Sequence, residues 1–255
     1  MARRATAPLR TEALVLRTFE FSESSLVVWF LTREHGRLHA LARGARRPRS
    51  DFDGALESFL RCDIGCYRKK GRELDRLAEL KLRDLHLPLR RSLERLTCAA
   101  YLTELCCETV QLDDPDPELY DLMVTALAGL ARGPLRELQS LVLATEGRLL
   151  RALGLFPSLE RCVACDRVVA EPKVRFDGAR GGVLCAEHGE GSLRCHRGSL
   201  LSFARLVEGG GGGPVVLARA TMLELRRLLG ATWRAQLEGR LRSLPALEAQ
   251  LEAKP

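Results

Sequence analysis

The hydrophobic period of this chain changes once along its length, and that change limits what it can fold into. From Arg37 to Arg43 apolar and polar residues alternate. Leu38, Ala40 and Ala42 point one way; Arg37, His39, Leu41 and Arg43 point the other. A second alternation sets Leu60, Cys62, Ile64 and Cys66 on one face and Arg61, Asp63 and Tyr67 on the other. "EALVLRTF" and "SSLVVWFLT" are short apolar segments with β-branched and aromatic content. "RELDRLAELKL" supplies a last strand, although its composition also suits a helix. Short strands with little helix between them predict a small closed barrel.

Pro88 opens a different regime. Leu89, Leu93, Leu96 and Ala100 recur at helical steps. "DDPDPE" breaks that helix, and its acids suit the start of the next one. Leu138, Val142, Thr145 and Leu149 mark a further helix ending near Gly154. Residues 159–197 lose the helical period and gain Cys, Gly and short Val-rich runs. Helical signals return at Ser199 and at Met222, Leu225, Leu229 and Trp233, and the glycine run at 209–213 reads as a flexible connection. The expected class is α+β. A barrel over 1–85 precedes a helical domain in two parts, 86–158 and 198–255, with 159–197 inserted between them.

The insertion carries the sharpest local signal, "CVACDRVVAEPKVRFDGARGGVLCAEH". Cys162 and Cys165 form a CxxC pair, and Cys185 and His188 form a CxxH pair. Two such knuckles close a tetrahedral Zn2+ site. Thiolates and imidazole would leave no open position, so the expected metal is structural rather than catalytic. Cys195 competes with His188 for the fourth place, and spacing favours His188. The intervening residues look like a turning ribbon with almost no core of its own. The other cysteines read as small buried apolar residues.

Charge is distributed unevenly. Residues 1–85 hold 18 Lys/Arg against 12 Asp/Glu, so they carry +6 of the chain's formal +7. "GRLHALARGARRPRS" is the densest part, with Arg37, Arg43, Arg46, Arg47 and Arg49 and no acid. A second basic turn follows Tyr67 with Lys69, Lys70 and Arg72. Arginines in a loop beside a barrel face can track a phosphate backbone. Tyr67 or Phe19 is a candidate to stack on a base. There is no GxxxxGK[ST] loop, no HExxH and no GxSxG, so the chain is not expected to be an enzyme. No apolar h-region of a signal peptide follows the basic "MARRATAPLR", and the longest apolar run, Leu26–Leu31, is far too short for a bilayer. A cytoplasmic, membrane-free protein with reduced thiols is expected.

"TEALVLRTFEFSESSLVVWFLTREHGRLHALARGARRPRS" closely resembles the N-terminus of the RecO family of bacterial recombination mediators. The resemblance continues through "DGALESFLRCDIGCYRKKGRELDRLAEL", the CxxC knuckle, "GGVLC" and "LRRLLGATWRAQLEGRLRS". It implies an N-terminal OB-fold, then a helical domain with a zinc-ribbon-like insertion. It implies binding of single- and double-stranded DNA at the nucleoid and annealing of complementary strands. With RecR, such a protein would help load RecA onto DNA coated by single-strand binding protein (SSB), whose C-terminal tail it would receive. The family's basic loop carries over to Arg43, Arg46, Arg47 and Arg49, and its cysteine ligands to Cys162, Cys165 and Cys185. The fourth family ligand is commonly a cysteine, and here that position is His188. A rival reading is an RNA-binding OB-fold protein with a structural zinc ribbon.

Overall fold

The computed structural model describes residues 8–52, 56–68, 74–209 and 216–253. The chain forms two compact units. The first comprises Met1–Arg91 and Thr103–Ala131; the second comprises Ser92–Leu102 and Arg132–Pro255.

In the first unit the alternating segments are strands β1 (Leu9–Glu20), β2 (Leu26–Thr32), β3 (Gly36–Ala42), β4 (Arg61–Tyr67) and β5 (Asp75–Asp84). They close a barrel in the order β1-β2-β3-β5-β4, with β4 pairing back onto β1. Four of these pairings are antiparallel. The closing pair is parallel: Ala40 faces Asp75 and Leu41 faces Arg76. This is an OB-like barrel. The period-two pattern holds, with Leu38, Ala40, Cys62, Ile64 and Cys66 all in the core. The segment that also suited a helix is β5.

Strand β1 departs from simple alternation. Ala13, Leu14, Val15 and Leu16 are all buried: Ala13 and Val15 belong to the barrel core, whereas Leu14 and Leu16 are covered outside that cluster. The register with β2 shifts between Val15 and Arg17. The bulge re-aims the side chains that follow it. Val15 N–H donates to the Leu60 carbonyl at 2.9 Å, and Phe59 N–H donates to the Val15 carbonyl at 2.8 Å. The acids of "DDPDPE" do start a helix. The Asp116 carboxylate accepts from Leu119 N–H at 2.9 Å, capping α2 (Pro117–Arg132).

Helix α1 (Leu93–Thr109) does not follow the stripe read from the sequence. Leu93 is 75% exposed and Leu96 36%, whereas Cys98, Ala99, Tyr101, Leu102, Leu105 and Cys106 are buried. A helix covered on most sides has little amphipathic period, so its apolar spacing does not mark the buried face.

The second unit packs α3 (Leu138–Ala152), α4 (Arg197–Glu208), α5 (Arg219–Gln236) and α6 (Leu244–Glu252) with the first turns of α1. Helices α3 and α4 meet so closely at Gly147 that a Cβ there would lie 2.1 Å from Val207 Cγ2. At the centre lies a buried ion pair. Arg226 donates from Nη1 to Glu146 Oε2 and from Nη2 to Glu146 Oε1, both at 2.7 Å. Tyr101 donates its hydroxyl to the same carboxylate. The side chains of Arg226 and Glu146 are 3% and 0% exposed. Burial works against the Arg226 charge, but Glu146 and Tyr101 more than offset it and raise the guanidinium pKa. Burial, together with Glu146, pushes the Tyr101 phenol up.

The inserted residues form a small antiparallel sheet of β6 (Lys173–Asp177), β7 (Gly182–Leu184) and β8 (Leu193–His196), ordered β7-β6-β8. Its core is not self-contained, as the sequence suggested. Val174, Phe176, Val183 and Cys195 share one cluster with Leu200 of α4 and Leu228 of α5.

The buried pair sets the expected stability. Removing one partner strands an uncompensated charge, at about 3–5 kcal/mol, whereas apolar replacement of a whole pair is often neutral. Arg226→Ala is therefore expected to lower the unfolding free energy of this unit by about that amount. Arg226→Met with Glu146→Leu and Tyr101→Phe should recover most of it. Urea unfolding of both variants reads the difference.

Candidate nucleic-acid face and metal centre

The outer face of β1, β2 and β3 carries an aromatic and cationic ladder. Trp29 and His39 sit opposite each other across β2 and β3, their rings stacked at 4.3 Å with an 11° interplanar angle. Phe19 tilts against Trp29 at 5.1 Å, Arg17 lies 5.3 Å from the Phe19 ring centre, and Arg37 lies 5.0 Å from that of Trp29. Burial, reinforced by the neighbouring Arg37, lowers His39 to about 4. The imidazole is therefore a neutral plane at physiological pH. The reading of "SSLVVWFLT" overlooked Trp29, although its alternation with the buried Val28 and Phe30 places it on the outer face.

Each arginine predicted in and around the loop after β3 has a definite place. Arg37 is half-buried and donates to the Cys107 carbonyl. Its backbone also bonds with Gln111 and Asp113. It thus ties β3 to the segment between α1 and α2. Arg43, Arg46, Arg47 and Arg49 are exposed on the connection leaving β3. Arg46 is partly engaged: its N–H donates to the Ser24 carbonyl at 3.1 Å and its guanidinium pairs with Glu20 at 3.1 Å. That contact pins the loop beside the β1–β2 turn. Arg43, Arg47 and Arg49 have no ion-pair partner among the described residues. Arg47 N–H closes a turn onto the Gly44 carbonyl, and Arg49 has φ 60. The loop therefore has internal form and presents three cations unpaired among the described residues.

The second basic turn begins at Arg68, which pairs with Asp75 and Asp113. Lys69, Lys70 and Arg72 lie outside the described residues. Tyr67 is 37% exposed, with Arg76 5.1 Å over its ring. The register places the start of β5 beside Ala40, so this connection enters the barrel next to β3.

In the second unit the two knuckles come together. The ligand atoms of Cys162, Cys165, Cys185 and His188 all lie within 4.8 Å of one another. Cys165 Sγ and Cys185 Sγ are 3.9 Å apart, and His188 Nδ1 is 3.1 Å from Cys185 Sγ and 3.9 Å from Cys162 Sγ. An ion about 2.3 Å from each sulfur would set tetrahedral sulfurs about 3.8 Å apart, so the donors fit. Local backbone builds each knuckle. Asp166 N–H returns to the Cys162 carbonyl at 2.8 Å, with Asp166 at φ 59. His188 N–H returns to the Cys185 carbonyl at 3.2 Å, and Val163 N–H reaches the Val183 carbonyl at 3.0 Å, joining the two. Burial acts to raise the Cys162 thiol, but backbone N–H groups of Cys185, Ala164 and Cys165 overcome it and lower it to about 6. That is the thiolate a metal needs.

Cys195 is not part of this group. It packs in the ribbon core at 3% exposure, and burial, with Glu224, pushes its thiol up to about 12. Burial likewise pushes Cys62, Cys66 and Cys107 up to about 12. They behave as small apolar residues.

The family model "Recombination protein O N terminal" matches residues 7–86, and "Recombination protein O C terminal" matches residues 90–245. A DNA repair protein RecO of Symbiobacterium thermophilum is 34% identical over 250 residues, covering 95% of this chain and 98% of that protein. One from Anaeromyxobacter sp. (strain K) is 38% identical over 205 residues, covering 79% and 80%. One from Rhodopirellula baltica is 41% identical over 175 residues, covering 68% and 64%. An OB-like barrel with a basic loop, a helical unit with a paired-knuckle ribbon, and matches to both halves in order lead to one conclusion: the chain belongs to the RecO family of DNA repair proteins.

Proposed function

We propose that this protein is a recombination mediator that holds single- and double-stranded DNA through phosphates and anneals complementary strands. With RecR, it helps load RecA onto DNA coated by single-strand binding protein, contacting that protein through its C-terminal tail. The observation that carries the DNA-binding step is the loop after β3, where Arg43, Arg47 and Arg49 stand exposed with no ion-pair partner among the described residues. Cations held this way displace condensed counterions without reading bases. Annealing follows from the same charge, which screens two strands from each other. The Trp29 ring is already occupied by His39 and Arg37, which favours backbone contact over base stacking at that residue.

The protein acts by binding rather than by bond chemistry, in the cytoplasm at the nucleoid. No helix among the described residues is long and apolar enough to cross a membrane. Zinc, held by Cys162, Cys165, Cys185 and His188, is structural in this reading. Four protein donors complete its coordination and shape the ribbon. The ribbon also shares apolar core with α4 and α5, so metal loss should loosen it without unfolding the helices.

Two outcomes are expected. In binding to single-stranded DNA, the slope of log affinity against log salt should become shallower by about 2 in the variant Arg43→Ala/Arg47→Ala/Arg49→Ala, at roughly 0.7 per lost contact. An unchanged slope, or a strong preference for RNA of the same sequence, would count against the DNA reading. Elemental analysis should find one zinc per chain, lost in Cys162→Ser and Cys185→Ser but retained in Cys195→Ser, with far-UV circular dichroism from the helices preserved in all three.

A further inference from the structure

We propose that the outer face of the ribbon sheet is a second contact surface for DNA phosphates, formed by Lys173, Arg175 and Arg194. This rests on the DNA-binding reading above and assigns it a site that the basic loop does not provide.

The register of the ribbon carries the argument. Alternation along β6 and β8 turns Val174, Phe176 and Cys195 into the core. It leaves Lys173, Arg175, Arg194 and His196 on the other face. Arg175 faces Arg194 directly across the two strands, and Lys173 faces His196. Like charges placed directly opposite each other destabilise a sheet pair. This is a three-stranded sheet of five, three and four residues, poorly able to bear such a cost.

The charges are not neutralised locally. Lys173, Arg175 and Arg194 have no ion-pair partner among the described residues. Glu224 is committed to the His196 ring and backbone N–H, both at 3.1 Å. The Asp177 carboxylate accepts from the turn N–H groups of Ala179 and Arg180. Arg227 of α5 adds a further guanidinium, whose Nη2 donates to the Arg194 carbonyl at 2.5 Å.

The face is also held in place. The Arg175 stem packs against Gly189 of the second knuckle, where a Cβ would lie 2.1 Å from Arg175 Cδ. The metal knuckle thus orients a cation. A polyanion bridging Arg175 and Arg194 would turn their mutual repulsion into two favourable contacts. A regularly charged backbone fits this better than a single carboxylate, because the cations are spread along two strands.

The test measures single-stranded DNA binding against salt for wild type, Lys173→Gln/Arg175→Gln/Arg194→Gln, and the charge-preserving Lys173→Arg/Arg175→Lys/Arg194→Lys. The neutral variant should flatten the slope by about 2, with zinc content and melting temperature retained, and the charge-preserving variant should restore it. A neutral variant with the wild-type slope overturns the ribbon surface and leaves the DNA-binding reading intact. Equal loss in the charge-preserving variant traces the effect to packing and also overturns it. So does normal DNA binding joined to lost affinity for a polyglutamate peptide, which would give the face to an acidic protein. A wild type with no salt dependence overturns both readings at once.

Discussion

The first unit depends on one parallel strand pair. Four antiparallel pairings leave β3 and β5 as open edges, and only their contact at Ala40–Asp75 and Leu41–Arg76 closes the sheet. Closure removes the exposed edges that a small sheet otherwise has to protect. It also gives each strand an inward face, which is why the alternation is so regular in β3. A parallel neighbour cannot be reached by a tight turn. The chain must leave β3 by a long connection, which returns Phe52, Leu56 and Leu60 to the barrel core, and pass through β4 before entering β5. The basic loop lies on that obligatory excursion. Within that connection Ala45, Phe52 and Leu56 pack on the barrel core, while Arg43, Arg46, Arg47 and Arg49 stay exposed.

The second unit is organised by polar groups rather than by a closed sheet. Arg226, Glu146 and Tyr101 come from three helices far apart in sequence and meet without solvent. Such a group is worth little against an apolar alternative but punishes any misalignment, because each partner left alone is a buried charge or hydroxyl. The metal donors act in the same way at the ribbon. Four residues on two knuckles lie at ligand distances, and Leu200 and Leu228 tie the ribbon core to the helices. Polar groups with strict partners fix the geometry in both places, and apolar contacts supply bulk stability.

Much was legible from residues alone where a local rule dominated. Alternation found β3 and β4 because one face of each is core. Knuckle spacing found Cys162, Cys165, Cys185 and His188 because local turns build each pair. Helices α3 and α5 were legible because the residues spaced at helical steps, Leu138, Val142, Thr145 and Leu149 in one and Met222, Leu225, Leu229 and Trp233 in the other, are the buried ones. Helix α1 was legible as a helix but its buried face was not, since Leu93 and Leu96 are exposed while Cys98, Ala99, Tyr101 and Leu102 are buried. Arg37 looked like its neighbours in the basic stretch, yet its carbonyl and N–H bond to the segment at 111–113 and its guanidinium turns to Cys107. No local pattern distinguishes an arginine facing solvent from one facing a helix end.

The sequence by itself determined the class of most segments, the asymmetric charge and the paired knuckles, because these follow from short-range spacing and chain chemistry. Tertiary structure decided which cations are free. Arg46 meets Glu20, Arg68 meets Asp75 and Asp113, and Arg37 is folded inward, while Arg43, Arg47 and Arg49 are exposed with no ion-pair partner among the described residues. It also separated Cys195 from His188 and set Arg175 opposite Arg194. These outcomes depend on strand register and barrel closure. Both are contacts between segments tens of residues apart, and no local window of the sequence contains them.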